Sequence, residues 1–225
     1  MNKGFFSADG KFYKVGTVLG DMLFAGVLWI FFSIPLVTIG AATAGVYYAC
    51  TKKVSGRDEY FFKDFFKGFK SNFVKATLAF LILAAITVVI GVNIGIMNDS
   101  DTAGLLDIPV FVAQYFVLIQ SVFVAVYVFA ILARFELSLI AALKSAMIIA
   151  NKHLFTTIAN VAMLTLTIVA SLLFPVLILF IVGAYIYLSS MMFVKIFRKQ
   201  YPDFDKPLDQ TLKPLNFGSD DESED

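Results

Sequence analysis

Five polar side chains interrupt otherwise apolar stretches of this sequence: Asp21, Asn93, Gln114, Gln120 and Asn160. In hydrocarbon such groups either line a path for a polar solute or ion, or hydrogen-bond a neighbouring helix. Asp21 is the one carboxylate among them. It lies near the start of its apolar run, within reach of headgroup water or of a basic residue such as Lys53 or Arg134, so anchoring at the interface is its plainer role. Gln114 and Gln120 are six apart and do not share a close helix face, which favours contacts between helices over a shared binding site. Other chemistry finds little support. One histidine, His153, and one cysteine, Cys50, supply neither a metal-ligand set nor a nucleophile with its base, and no phosphate loop or nucleotide-binding glycine pattern occurs. The sequence predicts no enzyme, no cofactor and no nucleic-acid partner.

The elements that carry these residues are membrane spans. Of 225 residues, 59% are hydrophobic, and the mean hydropathy is +0.82, more than a soluble surface tolerates. The net charge of +1 conceals a strong asymmetry: all 18 Lys and Arg fall within residues 1–14, 52–75, 134–152 and 195–213. Basic residues flanking spans stay in the cytoplasm. The sorting predicts a polytopic all-α transmembrane bundle of about six spans, five being possible, with both termini cytoplasmic in the cell membrane.

In chain order, residues 15–32 form a first span that Pro35 and Gly40 interrupt. Residues 36–51 are ambiguous: as a helix they reach about 24 Å, short of a ~30 Å hydrocarbon core. Charge sorting favours a second crossing, with a short re-entrant helix as the alternative. Residues 75–98 and 108–133 form further spans around a loop with Asp99, Asp101 and Asp107 and no basic residue, hence an outside loop. Residues 154–194 carry no charge and, at about 61 Å as one helix, must be two spans, with Pro175 the natural break. Residues 1–199 therefore read as one membrane domain and residues 200–225 as an acidic, disordered cytoplasmic tail.

Two internal segments read as amphipathic helices on the membrane surface. Residues 52–75 hold seven Lys or Arg and seven Phe or Tyr. On a helix, Phe61, Phe62, Phe65, Phe66, Phe69 and Phe73 fall within an arc of about 140°, flanked by Lys63, Lys67 and Lys70. Phenylalanines buried at the lipid boundary and lysines on anionic headgroups account for the pattern, and a docking surface for a cytoplasmic partner is the sharper alternative. The second segment, residues 134–152, gathers Arg134, Ser138, Lys144, Ser145, Asn151 and Lys152 on one side. Glu136 lies apart from them, placed to bridge to Lys63 or Lys67.

The N-terminal third, FFSADGKFYKVGTVLGDMLFAGVLWIFFSIPLVTIGAATAGVYYACTKKV followed by YFFKDFFKGFKSNFVKAT, resembles the YesL-like family of integral membrane proteins of Gram-positive bacteria. The likeness is most specific over residues 4–80. That family has no established molecular function and no catalytic or ligand residues to transfer, but its association with sugar uptake and polysaccharide use implies a link to carbohydrate transport. The expectation is an accessory or interaction protein of a carbohydrate uptake system. The alternative is a small multi-pass transporter of a small molecule such as a sugar derivative, which would need Asp21, Asn93, Gln114, Gln120 and Asn160 to converge on one path.

Overall fold

The computed structural model describes residues 11–57, 60–98 and 107–200. The N-terminal residues, most of the Asp-containing loop and the acidic tail lie outside them. Among the described residues seven α-helices form an all-α bundle: α1 Lys11–Ser33, α2 Ile39–Val54, α3 Phe61–Asn98, α4 Asp107–Arg134, α5 Leu139–Lys152, α6 Leu154–Leu173 and α7 Ile178–Gln200.

Among the described residues five stretches are long and apolar enough to cross a bilayer: Val15–Ser33, Phe61–Met97, Ile108–Arg134, Leu154–Leu173 and Pro175–Lys199. The 16-residue α2 is not among them. It is the centre of the bundle instead, with Ala41, Ala42, Ala44, Val46 and Cys50 fully buried and α1, α3, α4 and α7 packed around it. Its run of Gly and Ala residues lets neighbouring backbones approach closely.

Both turns at prolines carry a single 3₁₀ turn, one residue out of step: Pro35 precedes Leu36–Thr38 after α1, whereas Pro175 opens Pro175–Leu177 after α6. Proline has no N–H to leave unsatisfied, and at the first turn the Thr38 hydroxyl donates to the Phe32 and Pro35 carbonyls, both at 2.6 Å. Both tips expose apolar side chains, Ile34, Leu36 and Val37 at one, Leu173, Phe174 and Val176 at the other. Between them α1 and α7 run antiparallel at close range. A Cβ on Gly26 would overlap the Leu179 carbonyl, and one on Gly183 the Met22 carbonyl.

Residues 52–75 are not one surface helix. Lys52 and Lys53 end α2, a turn with Gly56 at φ 69° follows, and the aromatic run opens α3, which continues unbroken into the apolar stretch. At 38 residues α3 is about 57 Å long, nearly twice a hydrocarbon core. Nothing between residues 61 and 98 removes a backbone N–H or clashes with the preceding turn, so the change from basic to apolar composition does not stop the helix. The second surface segment does form its own helix, α5, capped by the Ser138 hydroxyl, which accepts the Ala141 N–H at 3.3 Å. Its face is not sorted as expected. Ser145 is buried beside Ala142, Ala146 and Ile149, while Ile140 and Met147 are exposed.

Candidate functional site

The polar residues within the apolar helices occupy separate places. Asp21 on α1 faces Lys53 at the end of α2, Oδ2 to Nζ 3.4 Å. A second pair lies close by, where Lys52 donates to Asp64 of α3 at 2.6 Å and sits over the Tyr48 ring. The α1–α2–α3 corner is therefore held by two alternating ion pairs.

Asn93 and Gln114 meet on the other half of α3, where the Gln114 amide donates to Asn93 Oδ1 at 3.2 Å, joining α3 to α4. Gln120 lines a shallow apolar surface cavity with Lys144 and Met147 of α5. Asn160 is wholly buried between α6 and α7. There Tyr47 donates to Ser189 at 3.2 Å, Ser189 to Asn160 Oδ1 at 2.6 Å, and the Asn160 amide to the Thr156 carbonyl at 2.9 Å. Sequence reasoning missed Tyr47 and Ser189, and with them the Tyr127–Thr157 hydroxyl contact at 3.1 Å. The one signal was the Ser189–Ser190 pair within an apolar run, and both of these serines are fully buried.

A cavity of about 370 Å³ opens between α4, α6 and α7 above α2. Trp29, Phe129, Val182 and Ile186 form much of its wall, which is almost wholly apolar although Thr43, Tyr47 and Tyr185 also line it. None of Asp21, Asn93, Gln114, Gln120 or Asn160 lines it. They do not converge on one path.

The aromatic face of α3 divides. Phe65 is fully buried against Gly45 of α2, and Phe65, Phe66 and Phe69 each lie 5.1–5.2 Å from the Phe32 ring. Phe62 and Phe73 keep exposed edges, as do Lys63, Lys67 and Lys70. Glu136 is exposed on the linker from α4 to α5 and forms no ion pair with Lys63 or Lys67. It borders the same small cavity as Lys67 without an ion pair between them. His153 joins α5 to α6, and burial, with Lys152 and Lys199 nearby, moves its pKa below the ordinary histidine range. Among the described residues no three His, Cys, Asp or Glu side chains are grouped closely enough to hold a metal ion.

The register of α2 on α3 marks out the best-defined unit. Gly40 lies against Ala76, Tyr48 against Gly68 and Lys52 against Asp64, a continuous antiparallel contact closed at the top of the same helices by α1. Residues 22–94 match the family described as "Protein of unknown function, DUF624". The match covers about a third of the chain and runs from the Met22 contact with α7 through α2 to the outer part of α3. It coincides with the packed three-helix unit and ends before α4. No curated protein and no solved structure matches the chain. The protein is thus a multi-helix membrane protein that is similar, over residues 22–94, to an uncharacterised family.

Proposed function

We propose that this protein is a non-enzymatic accessory protein of the cell membrane, which binds and assists or regulates a carbohydrate uptake system. One observation carries the accessory reading: the polar groups of the apolar helices are spent on separate helix contacts, not gathered along one path. The carbohydrate link is supported by the YesL-like resemblance of residues 4–80, a stretch that overlaps the family match. Phe62, Phe73, Lys63 and Lys70 offer the partner-facing surface, because Phe65 and Phe69 are occupied within the fold.

Affinity capture in mild detergent from the native host tests it. A sugar-uptake component should co-purify with the wild type and be depleted by Phe62→Ala/Phe73→Ala or Lys63→Gln/Lys70→Gln. If no such component is retained by the wild type, the reading fails. The transporter alternative draws on the 370 Å³ cavity beside Tyr47. Saturable uptake of a labelled sugar derivative by proteoliposomes holding only this protein would favour it over the accessory role.

The orientation follows from charge: the basic ends of α2, α3, α4 and α7 cluster together and face the cytoplasm. A hairpin returns the chain to its starting side whatever its depth, so this assignment does not require α2 to cross fully. The apolar tips at Pro35 and Pro175 fit hairpins that turn within hydrocarbon, where proline and Thr38 leave few backbone groups unpaired. In intact cells an impermeant thiol reagent should label Ser100→Cys and spare Ser55→Cys and Val37→Cys. The reverse pattern at the two serines would invert the protein.

A further inference from the structure

A small polar cavity of about 180 Å³ lies between the basic half of α3 and the hinge where α4 turns into α5. Lys67, Ser71 and Lys75, spaced by four, present one stripe of α3 to it. Arg134 and Glu136 face them from the hinge, and Tyr48, pressed on Gly68, borders it from α2. Three cations against one carboxylate leave the lining with a charge of +2. Glu136 is exposed, whereas Arg134 is buried at 4% exposure within the surrounding core. Ser71 and Asn72 hydrogen-bond the Gly68 carbonyl at 3.3 and 3.1 Å, which fixes the α3 wall.

We propose that Lys67, Lys75 and Arg134 form a binding site for a phosphate-bearing anion. A fixed guanidinium is suited to bidentate contact with phosphate oxygens, and two lysines on flexible stems add charge without demanding one geometry. The position narrows the source. Lys75 is the last charge before the uncharged residues 76–97 of α3, so the cavity mouth lies at headgroup depth, open both to an anionic lipid and to a phosphorylated solute from the basic side. The volume is below that of a drug-sized pocket, which fits one headgroup or a small phosphorylated molecule.

The test uses the full chain purified in a neutral detergent, titrated with short-chain phosphatidylglycerol, with phosphatidylcholine of the same chain length, and with inorganic phosphate. The wild type should bind phosphatidylglycerol or phosphate saturably, with a rise in unfolding temperature. Lys67→Gln and Lys75→Gln should each weaken binding about fivefold, while Lys70→Gln, on exposed surface outside the cavity, should not. The two lysine variants keep the test valid should Arg134→Gln fail to fold. Binding of phosphatidylglycerol without phosphate assigns a lipid headgroup, and binding of phosphate assigns a soluble source. No saturable binding of either, equal binding of phosphatidylcholine and phosphatidylglycerol, or equal losses in the Lys67, Lys70 and Lys75 variants would overturn the site.

Discussion

Residues 61–80 and 81–97 belong to one uninterrupted helix, yet they are stabilised by different surroundings. The first part carries Lys63, Lys67, Lys70 and Lys75, and it buries Asp64, Phe65, Asn72, Ala76 and Ala79 against α1, α2 and α4. The second carries no charge, and only Ile94 is buried; Val88, Val89, Val92 and Ile96 are each more than half exposed. The partner α4 repeats the division, exposed around Val112 and Phe116 and buried from Val126 to Ala133. Protein packs the basic half and lipid must cover the apolar half, since so wide an apolar surface is not tolerated in water. Composition alone assigns the halves the other way, with the apolar residues as the core. In a membrane protein apolar character marks contact with lipid as readily as burial in protein, because lipid tails are as apolar as leucine.

Truncation of one side chain in each half gives the sharpest test. Phe65→Ala removes a fully buried ring beneath α2 and should cost about 3–5 kcal/mol. Val89→Ala, on a side chain 66% exposed, should stay within about 0.5 kcal/mol in the same detergent. Chemical unfolding followed by far-UV circular dichroism measures both, and equal losses would break the distinction. A smaller effect is expected from Asp64→Asn, which leaves Lys52 facing a neutral amide where it now donates at 2.6 Å. Asp64 is almost wholly buried, but Lys52 reaches solvent, so the loss should be about 2 kcal/mol rather than the full cost of a stranded buried charge. Combining it with Lys52→Gln should recover part of that loss. A double variant as unstable as the sum of the singles would show that the two side chains do not act as a pair.

Much of this arrangement is legible in the sequence where a local rule decides it. Pro35 and Pro175 mark turns because proline cannot continue a helix, and Asp21 finds Lys53 because a carboxylate near a charged boundary seeks a cation. The continuity of α3 is not legible by the same means. A change from basic to apolar composition reads as a boundary, although the backbone hydrogen bonds of a helix are indifferent to it. The role of α2 is hidden for a related reason: hydropathy weighs its length and finds it short, whereas its Gly and Ala residues matter through how closely α3 approaches. Glu136 reaches the cavity that Lys67 lines but forms no ion pair with it; it sits in the four-residue linker between α4 and α5, and no helical spacing reaches across such a link. Tyr47, Ser189 and Asn160 come together across 142 and 29 positions, and no sequence pattern announces a contact of that kind.

On the outer half of α3 a polar tie to α4 runs through Gln114, and that tie sets the lower end of the scale. Gln114→Leu removes the amide that donates to Asn93 at 3.2 Å and also faces the Met97 sulfur at 3.5 Å. Hydrogen bonds between membrane helices contribute about 0.6 kcal/mol on average, since the unfolded helices find other partners. Leucine also fits the apolar cavity wall that Gln114 shares with Ile90 and Val110, which offsets part of the loss. Asn93 is exposed and keeps access to backbone carbonyls or to headgroup water, so no buried group is stranded. The expected change is thus at most about 0.6 kcal/mol in the same unfolding measurement. A loss above about 2 kcal/mol would mean that the α3–α4 hairpin holds itself together beyond the reach of α2, and that lipid is not the main support of the outer half.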